Sequence, residues 1–382
     1  MRSCHWSRRG TLALITAITL VWTALGCAQP PAPPTPAPTQ APKAAATEAQ
    51  KTAPAKEAKP EAKEAKPAKE AAKEEKKLVK MKVAYSAPAV MQAPLWVAKE
   101  KGLFEKYGLD VEIPYIASAP TIVQSMVSGE LNLFQGGGGP VISANLEGAD
   151  LAIIGVTTNV LLFYLYSRPE ITRVEDLRGK AMAVDRMGTV ADFAARFALR
   201  KYGLEPERDV TLLQAGNPPE RMAALMSGGV QGAVISIPTT LQAKKLGLRE
   251  LVDITALGIP YIQTTITGRR QYLTNNRETV ANFMKAFVEA IAVAKKDKEF
   301  TMKVVGKYTD TTDKEVLEEG YEVFVPKVLP RAPYPTLEGV KTELSQLERT
   351  NPKAKDARPE SFVDSSFVKE LDDSGFIKKL YE

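Results

Sequence analysis

Apolar runs and amphipathic segments alternate along the chain from residue 81 onward, and they do so in two series. In the first series, strands are predicted at residues 82–86, 110–116, 131–135 and 151–157, with helices at 91–101, 120–128 and 140–147. In the second, strands are predicted at 180–185, 209–214, 230–236 and 250–254, with helices at 189–202, 218–226 and 238–246. Beyond Arg269 the pattern is mainly helical, with an apolar-periodic segment at 278–295. The alternation predicts an α/β fold whose sheets are mostly parallel and flanked by helices.

The two series share sequence motifs in the same register. Lys-Tyr-Gly-Leu at 106–109 returns at 201–204, and each copy closes a predicted helix with glycine just past its end. In both series a Ser-Gly glycine, Gly129 or Gly228, lies 19 positions after the aspartate at the next strand, Asp110 or Asp209. The extra residues of the second copy, 205–208, fall in a connecting loop, where insertions are tolerated. We therefore expect two equivalent lobes: residues 78–165 in the first part of lobe 1, 166–257 in lobe 2, and 258–382 returning to lobe 1 and the C-terminal helices.

The first 26 residues have the pattern of a signal peptide. Arg2, Arg8 and Arg9 form a basic region, residues 11–25 are apolar, and Gly26 precedes Cys27. The segment Ala24-Leu25-Gly26-Cys27 resembles a bacterial lipobox, which implies lipidation of Cys27 and anchoring to the extracytoplasmic side of a bacterial membrane, at the cell surface or the periplasmic face. An uncleaved membrane span is the alternative, but the apolar stretch is shorter than a span requires and contains four threonines.

Residues 27–77 predict a disordered tether. After the cysteine the segment consists almost entirely of Pro, Ala, Thr, Lys, Glu and Gln, so it has nothing with which to form a core. Residues 1–77 carry 13 basic and seven acidic side chains, which accounts for the whole net charge of +6. The remaining chain has 38 of each and is neutral, so we expect no nucleic-acid partner.

The composition excludes several kinds of catalytic and metal site. The only histidine is His5, and Cys4 and Cys27 are the only cysteines, so cleavage before Cys27 leaves a chain without histidine and with only the lipidated cysteine. This removes catalytic triads, cysteine and histidine metal sites, and haem ligation. We expect no metal, no cofactor and no enzymatic activity. Ligand binding should vary little between about pH 6 and 8 unless a carboxylate or lysine has a strongly shifted pKa.

Two motifs carry a specific family resemblance. The segment APLWVAKEKGLFEKYGLDVE at 93–112 resembles the first helix and second strand of the aliphatic-sulfonate, nitrate, taurine and thiamine-precursor binding family of ABC-transporter substrate-binding proteins. The segment DLRGK at 176–180, followed by Ala183-Val184 and Gly188-Thr189, resembles the start of that family's second lobe. The chain departs from the family in having Asn132 and Gln231 where aspartate is common. The resemblance implies a two-lobed type II periplasmic-binding-protein fold.

Small or proline-led helix starts follow the strands of both series, and they are the candidate ligand site. Helix N-termini at the carboxyl ends of strands present unpaired backbone N–H groups, which favour negative or strongly polar ligands. Arg186 could meet a sulfonate or carboxylate bidentately or lie exposed, and Trp96 could stack on a ring or belong to the core. The candidate ligand-binding residues are Ser86, Gln92, Trp96, Ser118, Thr121, Gly137, Gly138, Thr158, Arg186, Gly188, Thr189, Asn217, Ser236 and Thr264.

Three functions compete. The leading one is a monomeric, lipid-anchored solute receptor that captures a small anionic or heteroaromatic molecule and delivers it to the permease and ATPase of an ABC importer. The second is a surface sensor or interaction protein that uses the same cleft. The third, a pyrimidine-precursor synthase, belongs to a branch of the resembling family that uses histidine and clustered cysteines, which the mature chain lacks.

Overall fold

The computed structural model describes residues 77–382. The predicted signal peptide, Cys27 and all but the last residue of the predicted tether lie outside these residues. No helix within 77–382 is long and apolar enough to cross a membrane.

The first sheet contains five strands in the order β2-β1-β3-β10-β4. They are β1 (Val79–Tyr85), β2 (Leu109–Glu112), β3 (Leu133–Gly136), β4 (Leu151–Val160) and β10 (Pro260–Arg269). Strand β1 is parallel to β2 and β3, whereas β10 is antiparallel to β3 and β4.

The second sheet repeats this arrangement in the order β7-β6-β8-β5-β9. Its strands are β5 (Tyr164–Ser167), β6 (Lys180–Val184), β7 (Val210–Gln214), β8 (Gly232–Ile235) and β9 (Arg249–Asp253). Strand β6 is parallel to β7 and β8, and β5 is antiparallel to β8 and β9. Each sheet therefore receives its antiparallel strand from one of the two segments that connect the sheets.

The α-helices cover both faces of each sheet, as predicted. Before β10 they are α1 (Ala93–Glu100), α2 (Leu103–Lys106), α3 (Ala119–Ser128), α4 (Gly139–Leu146), α5 (Val190–Lys201), α6 (Pro218–Ser227) and α7 (Thr239–Lys245). The helical C-terminal region is confirmed and contains α8 (Arg270–Asn275), α9 (Arg277–Lys296), α10 (Lys298–Thr309), α11 (Lys314–Phe324), α12 (Leu337–Leu347), α13 (Ser366–Asp373) and α14 (Phe376–Lys379).

The C-terminal helices extend the core of the first sheet. One face of that sheet packs with α1, α2, α9, α10 and α11, and the other face packs with α3, α4 and α12. The second sheet lies between α5 on one face and α6 and α7 on the other. Burial on both faces explains why strands such as β8 are continuously apolar rather than alternating.

The repeated motifs have equivalent roles in the two halves. Gly108 and Gly203 follow α2 and α5 with φ of +80° and +73°, and Gly129 and Gly228 cap α3 and α6 with φ of +91° and +81°. These left-handed conformations favour glycine and confirm the predicted helix ends.

Asn132 and Gln231, which stand where aspartate is common in the resembling family, occupy equivalent positions in the two sheets. The side-chain oxygen of Asn132 accepts the backbone N–H of Lys82 over 2.7 Å, and that of Gln231 accepts the backbone N–H of Ala181 over 3.3 Å. Since β1 and β6 hold the same place in their sheets, the two side-chain amides accept hydrogen bonds from equivalent backbone N–H groups.

Two strands were missing from the sequence prediction. β5 and β10 lie in the connecting segments, where neither periodicity nor turn residues marked a strand. β10 contains three threonines and is buried along nearly its whole length, so it has neither the alternation of a half-exposed strand nor the apolar run of a buried one. Also, the strand predicted at 110–116 ends at Glu112, and Tyr115 only forms an isolated bridge with Tyr85.

Candidate functional site

A cavity of about 70 Å³ lies where strands of both sheets end. Ser86 follows β1, Gly136 ends β3, Asp185 follows β6 and Ser236 follows β8, and all four line the cavity. These are carboxyl ends of parallel strands, where open α/β sheets bind ligands.

Half of the predicted site residues line this cavity. The seven that do so are Ser86, Gln92, Gly137, Thr189, Asn217, Ser236 and Thr264. The seven that lie outside its lining are Trp96, Ser118, Thr121, Gly138, Thr158, Arg186 and Gly188. Lining residues that the sequence analysis did not select include Phe163, Arg221 and Gln263.

Four helices begin at or beside the cavity. Ala119, Val190 and Pro218 are the first residues of α3, α5 and α6 and line it directly, and α4 begins two residues after Gly137. A capping box begins α6: Asn217 Oδ1 accepts the N–H of Glu220 over 3.1 Å, and Glu220 Oε2 accepts the N–H of Asn217 over 2.6 Å. The positive ends of four helix dipoles therefore surround the cavity.

The glycines before α4 allow close approach between the two halves of the site. A Cβ at Gly137 would lie 2.6 Å from Cγ2 of Val190, and a Cβ at Gly138 would lie 3.0 Å from the carbonyl oxygen of Ile262. The structure shows that the glycines bring backbone against β10 and α5.

Arg186 and Trp96 have roles away from the cavity. Arg186 is exposed, and its Nη1 donates to Oγ1 of Thr121 over 3.3 Å, so it links the loop after β6 to α3. Trp96 is fully buried and stacks on Tyr308 with ring centroids 4.9 Å apart. It lies in the core rather than in the cavity wall.

Arg221 is a buried cation in the cavity wall. It lies in the first turn of α6 and its side chain is 2% exposed. Its Nε donates to the carbonyl oxygen of Val234 and its Nη1 to that of Gly216, each over 2.6 Å. The pKa of Arg221 is lowered by burial. The available sequence signal was its position, directly after the capping box on the side of α6 that faces β8, but arginine is seldom buried.

A buried carboxylate lies behind the glycine segment, residues 136–139. Glu343 of α12 is 5% exposed and accepts a hydrogen bond from the hydroxyl of Tyr261 in β10. A Cβ at Gly139 would lie 2.7 Å from Oε1 of Glu343, so the carboxylate adjoins the first residue of α4. The pKa of Glu343 is raised to about 7, mainly by burial and also by the charge of Asp192, while the hydrogen bond from Tyr261 acts in the opposite direction.

Within residues 77–382, no group of three or more His, Cys, Asp or Glu side chains is placed to hold a metal ion. The cavity offers backbone donors, hydroxyls, amides, the carboxylate of Asp185 and the guanidinium of Arg221, which is a set suited to holding a polar solute.

The fold and the position of this cavity define the class of type II periplasmic binding proteins. The alkanesulfonate-binding protein SsuA from Xanthomonas axonopodis pv. citri, solved with MOPS, superposes with a TM-score of 0.63 at 20% identity, over 75% of this chain and 98% of that one. The nitrate-binding protein NrtA from Synechocystis superposes with a TM-score of 0.65 at 15% identity, over 78% and 89% of the two chains.

The sequence comparisons place the chain in a family. The NMT1/THI5-like family model matches residues 90–299, more than half of the chain. YtlA of Bacillus subtilis, which is named as a binding protein, is 27% identical over 256 residues, 64% of this chain and 75% of YtlA. The chain belongs to the NMT1/THI5-like family of ABC-transporter substrate-binding proteins, which confirms the resemblance found in its motifs.

Proposed function

We propose that this protein is the extracytoplasmic solute-binding component of an ABC importer, lipid-anchored through Cys27. It captures a small organic molecule, anionic or heteroaromatic, between two lobes and presents it to a permease and ATPase. The observation that carries the proposal is the cavity at the carboxyl ends of strands from both sheets, lined by polar groups from each. Relatives of known structure are named for binding sulfonate and nitrate.

We assign lobe 1 to residues 78–165 and 258–382, and lobe 2 to residues 166–257. Strand β5 begins at Tyr164, two residues before the assigned boundary, so the first crossing lies between the end of β4 at Val160 and that strand. The second crossing lies between the end of β9 at Asp253 and the start of β10 at Pro260. Two crossings of a few residues each allow the lobes to close around a solute. We expect a monomer that works through this closure.

The protein acts without chemistry on its solute. Family members are substrate-binding proteins, and the pyrimidine-precursor synthases that the sequence analysis considered need histidine and clustered cysteines. The chain has its only histidine and both cysteines within the first 27 residues. No observation favours the sensor function over transport.

Binding and uptake together test the proposal. A thermal-shift screen of sulfonates, aromatic acids, nitrate, bicarbonate and pyrimidines should find at least one stabilising compound, because a ligand at 100 times its dissociation constant adds about 2.7 kcal/mol. Deleting the gene should then abolish cellular uptake of that compound. A compound that binds but enters the deletion strain at the wild-type rate would contradict the transport role.

A further inference from the structure

A second cavity, of about 290 Å³, lies between helices that we assign to different lobes. Its lining comes from α5 of lobe 2 and the turn before that helix, and from α12 of lobe 1 and the turn after it. Thr189, directly before α5, lines both this cavity and the candidate solute cavity. A change in the separation of α5 and α12 therefore reaches the wall of the candidate solute site.

Each lobe places one buried carboxylate at this interface. Glu343 of α12 is 5% exposed, Asp192 of α5 is 6% exposed, and both line the second cavity. Asp192 has local partners, because Arg196 Nε donates to its Oδ1 over 2.7 Å and the N–H of Gly188 donates to its Oδ2 over 2.9 Å. Glu343 accepts one hydrogen bond from the part of the chain that the structure describes, and the donor is the hydroxyl of Tyr261. A carboxylate that loses water and gains no cation favours its neutral form.

The charged groups of the second cavity do not supply a cation to Glu343. Three arginines line the cavity, and within residues 77–382 none of them forms an ion pair with Glu343: Arg196, Arg200 and Arg349. The first is paired with Asp192 and Glu207, the second is paired with Glu205, and the third is exposed.

The other elements beside α12 bring no charge against Glu343. Helix α4, which begins next to the carboxylate, has no titratable side chain in residues 139–146, and β10 contributes the hydroxyl of Tyr261. The turns at 352–354 and 359–362 pack on α12 through the apolar side chains of Ala354 and Phe362. The one charge that acts strongly on Glu343 is therefore the negative charge of Asp192, from the other lobe.

We propose that protonation of Glu343 favours the closed arrangement of the two lobes, so that the receptor closes more readily at acid than at alkaline pH. The inference rests on the proposed function and concerns the regulation of the same site. When α5 and α12 lie together, Glu343 is dehydrated and faces Asp192. When the lobes separate, water enters between these helices and solvates an ionised Glu343. Closure therefore takes up a proton.

The size of the effect follows from the difference in proton affinity between the two arrangements. The pKa of Glu343 is raised from 4.5 to about 7 in this structure, and separation of the lobes returns it at most to 4.5. The gain in closure is complete below about pH 4.5 and is lost as the pH rises through 7. The ratio of closed to open molecules therefore rises by up to about 70-fold between pH 8 and pH 5.

Double electron–electron resonance between two nitroxide labels measures the separation of the lobes. The mature chain with Cys27→Ser contains no other cysteine. Labels can therefore be attached at Gln124→Cys on α3 of lobe 1 and Ala223→Cys on α6 of lobe 2, two exposed positions. Without added solute, the shorter-distance population of the otherwise unchanged chain should grow as the pH falls from 8 to 5. In Glu343→Gln the two pH values should give the same distribution, because the side chain is neutral at both.

Two conservative variants should shift the midpoint of this pH dependence in opposite directions. Tyr261→Phe removes a hydrogen bond that stabilises the ionised carboxylate, so the midpoint should move to higher pH. Asp192→Asn removes a negative charge that disfavours ionisation, so the midpoint should move to lower pH. A purely structural role of these residues would not produce opposite shifts. Glu338→Gln, at an exposed position on the same helix as Glu343, is the matched control and should keep the pH dependence of the unchanged chain.

The outcomes separate this proposal from the receptor function. A distance distribution that stays the same between pH 5 and pH 8, or an equal change in Glu343→Gln, would overturn the proton coupling. If Glu343→Gln does not fold, the shifts in Tyr261→Phe and Asp192→Asn decide, and the absence of either shift would overturn the proposal. None of these results affects the receptor function, which depends on the compound screen and on cellular uptake.

Discussion

Replacing Glu343 with glutamine tests how much the buried carboxylate behind the glycine segment costs the fold. The pKa of Glu343 is raised from 4.5 to about 7, so the folded protein binds this proton more tightly than the unfolded chain does. The stabilisation that the folded protein gains from the proton on Glu343 is complete below about pH 4.5 and is lost as the pH rises through 7. One pKa unit corresponds to about 1.4 kcal/mol, so the loss approaches about 3 kcal/mol above pH 8.

The groups around Glu343 come from three elements. Tyr261 of β10 donates to the carboxylate, α4 begins beside it, and Asp192 of α5, which is paired with Arg196, adds negative charge. Glutamine keeps an oxygen that can accept from Tyr261 but carries no charge. We therefore expect Glu343→Gln to be the more stable protein near pH 8 by roughly 2–3 kcal/mol and to lose most of this advantage near pH 5.

Urea unfolding at several pH values provides the measurement. Only the difference between wild type and variant is interpreted, because other titrating groups are common to both. Glu338→Gln is the control, since Glu338 lies on the same helix but is 69% exposed, and it should leave the pH dependence unchanged. If Glu343→Gln and wild type lose the same free energy of unfolding between about pH 5 and pH 8, the buried carboxylate does not titrate in this range and the reasoning fails. A change in the stability difference between pH 5 and pH 8 would show that Glu343 titrates there. Solute binding could then depend on pH even though the mature chain lacks histidine.

Three further predictions follow from the proposed function. Cys27→Ser should abolish labelling by a radioactive fatty acid while residues 77–382 stay folded, and a retained label would exclude lipidation at this cysteine. A bound solute should lower the radius of gyration measured by small-angle X-ray scattering, whereas an unchanged value at saturation would indicate lobes that do not move. Gly137→Ala should weaken solute binding about tenfold or more, because its Cβ would lie 2.6 Å from Val190 across the cavity. Gly229→Ala should leave solute binding unchanged, because Gly229 is exposed and a Cβ there would make only ordinary van der Waals contacts. Equal affinities in the two variants would refute the steric argument.

Local chemistry explains which features could be predicted. Helix ends such as Gly108 and Gly203, and the capping box of Asn217 and Glu220, depend on a few neighbouring residues and follow from the sequence directly. The position of helix starts after parallel strands then places half of the candidate residues in the cavity. Arg186 comes directly after Asp185, which lines the cavity, but residues next to one another in sequence need not face the same space. Its side chain points to Thr121 instead.

The sequence by itself determined the class of fold, the internal duplication and the family, because periodicity, glycine positions and motif spacing are local or regularly repeated properties. Only the tertiary structure decided which strand crosses into which sheet, since β5 and β10 pair with residues far away in the chain. The same holds for charge. Whether Arg221 is an exposed cation or a buried one held by backbone carbonyls, and whether Glu343 keeps its proton at neutral pH, depends on what other segments bring against each residue. Desolvation is set by the packed surroundings, and no short stretch of sequence contains them.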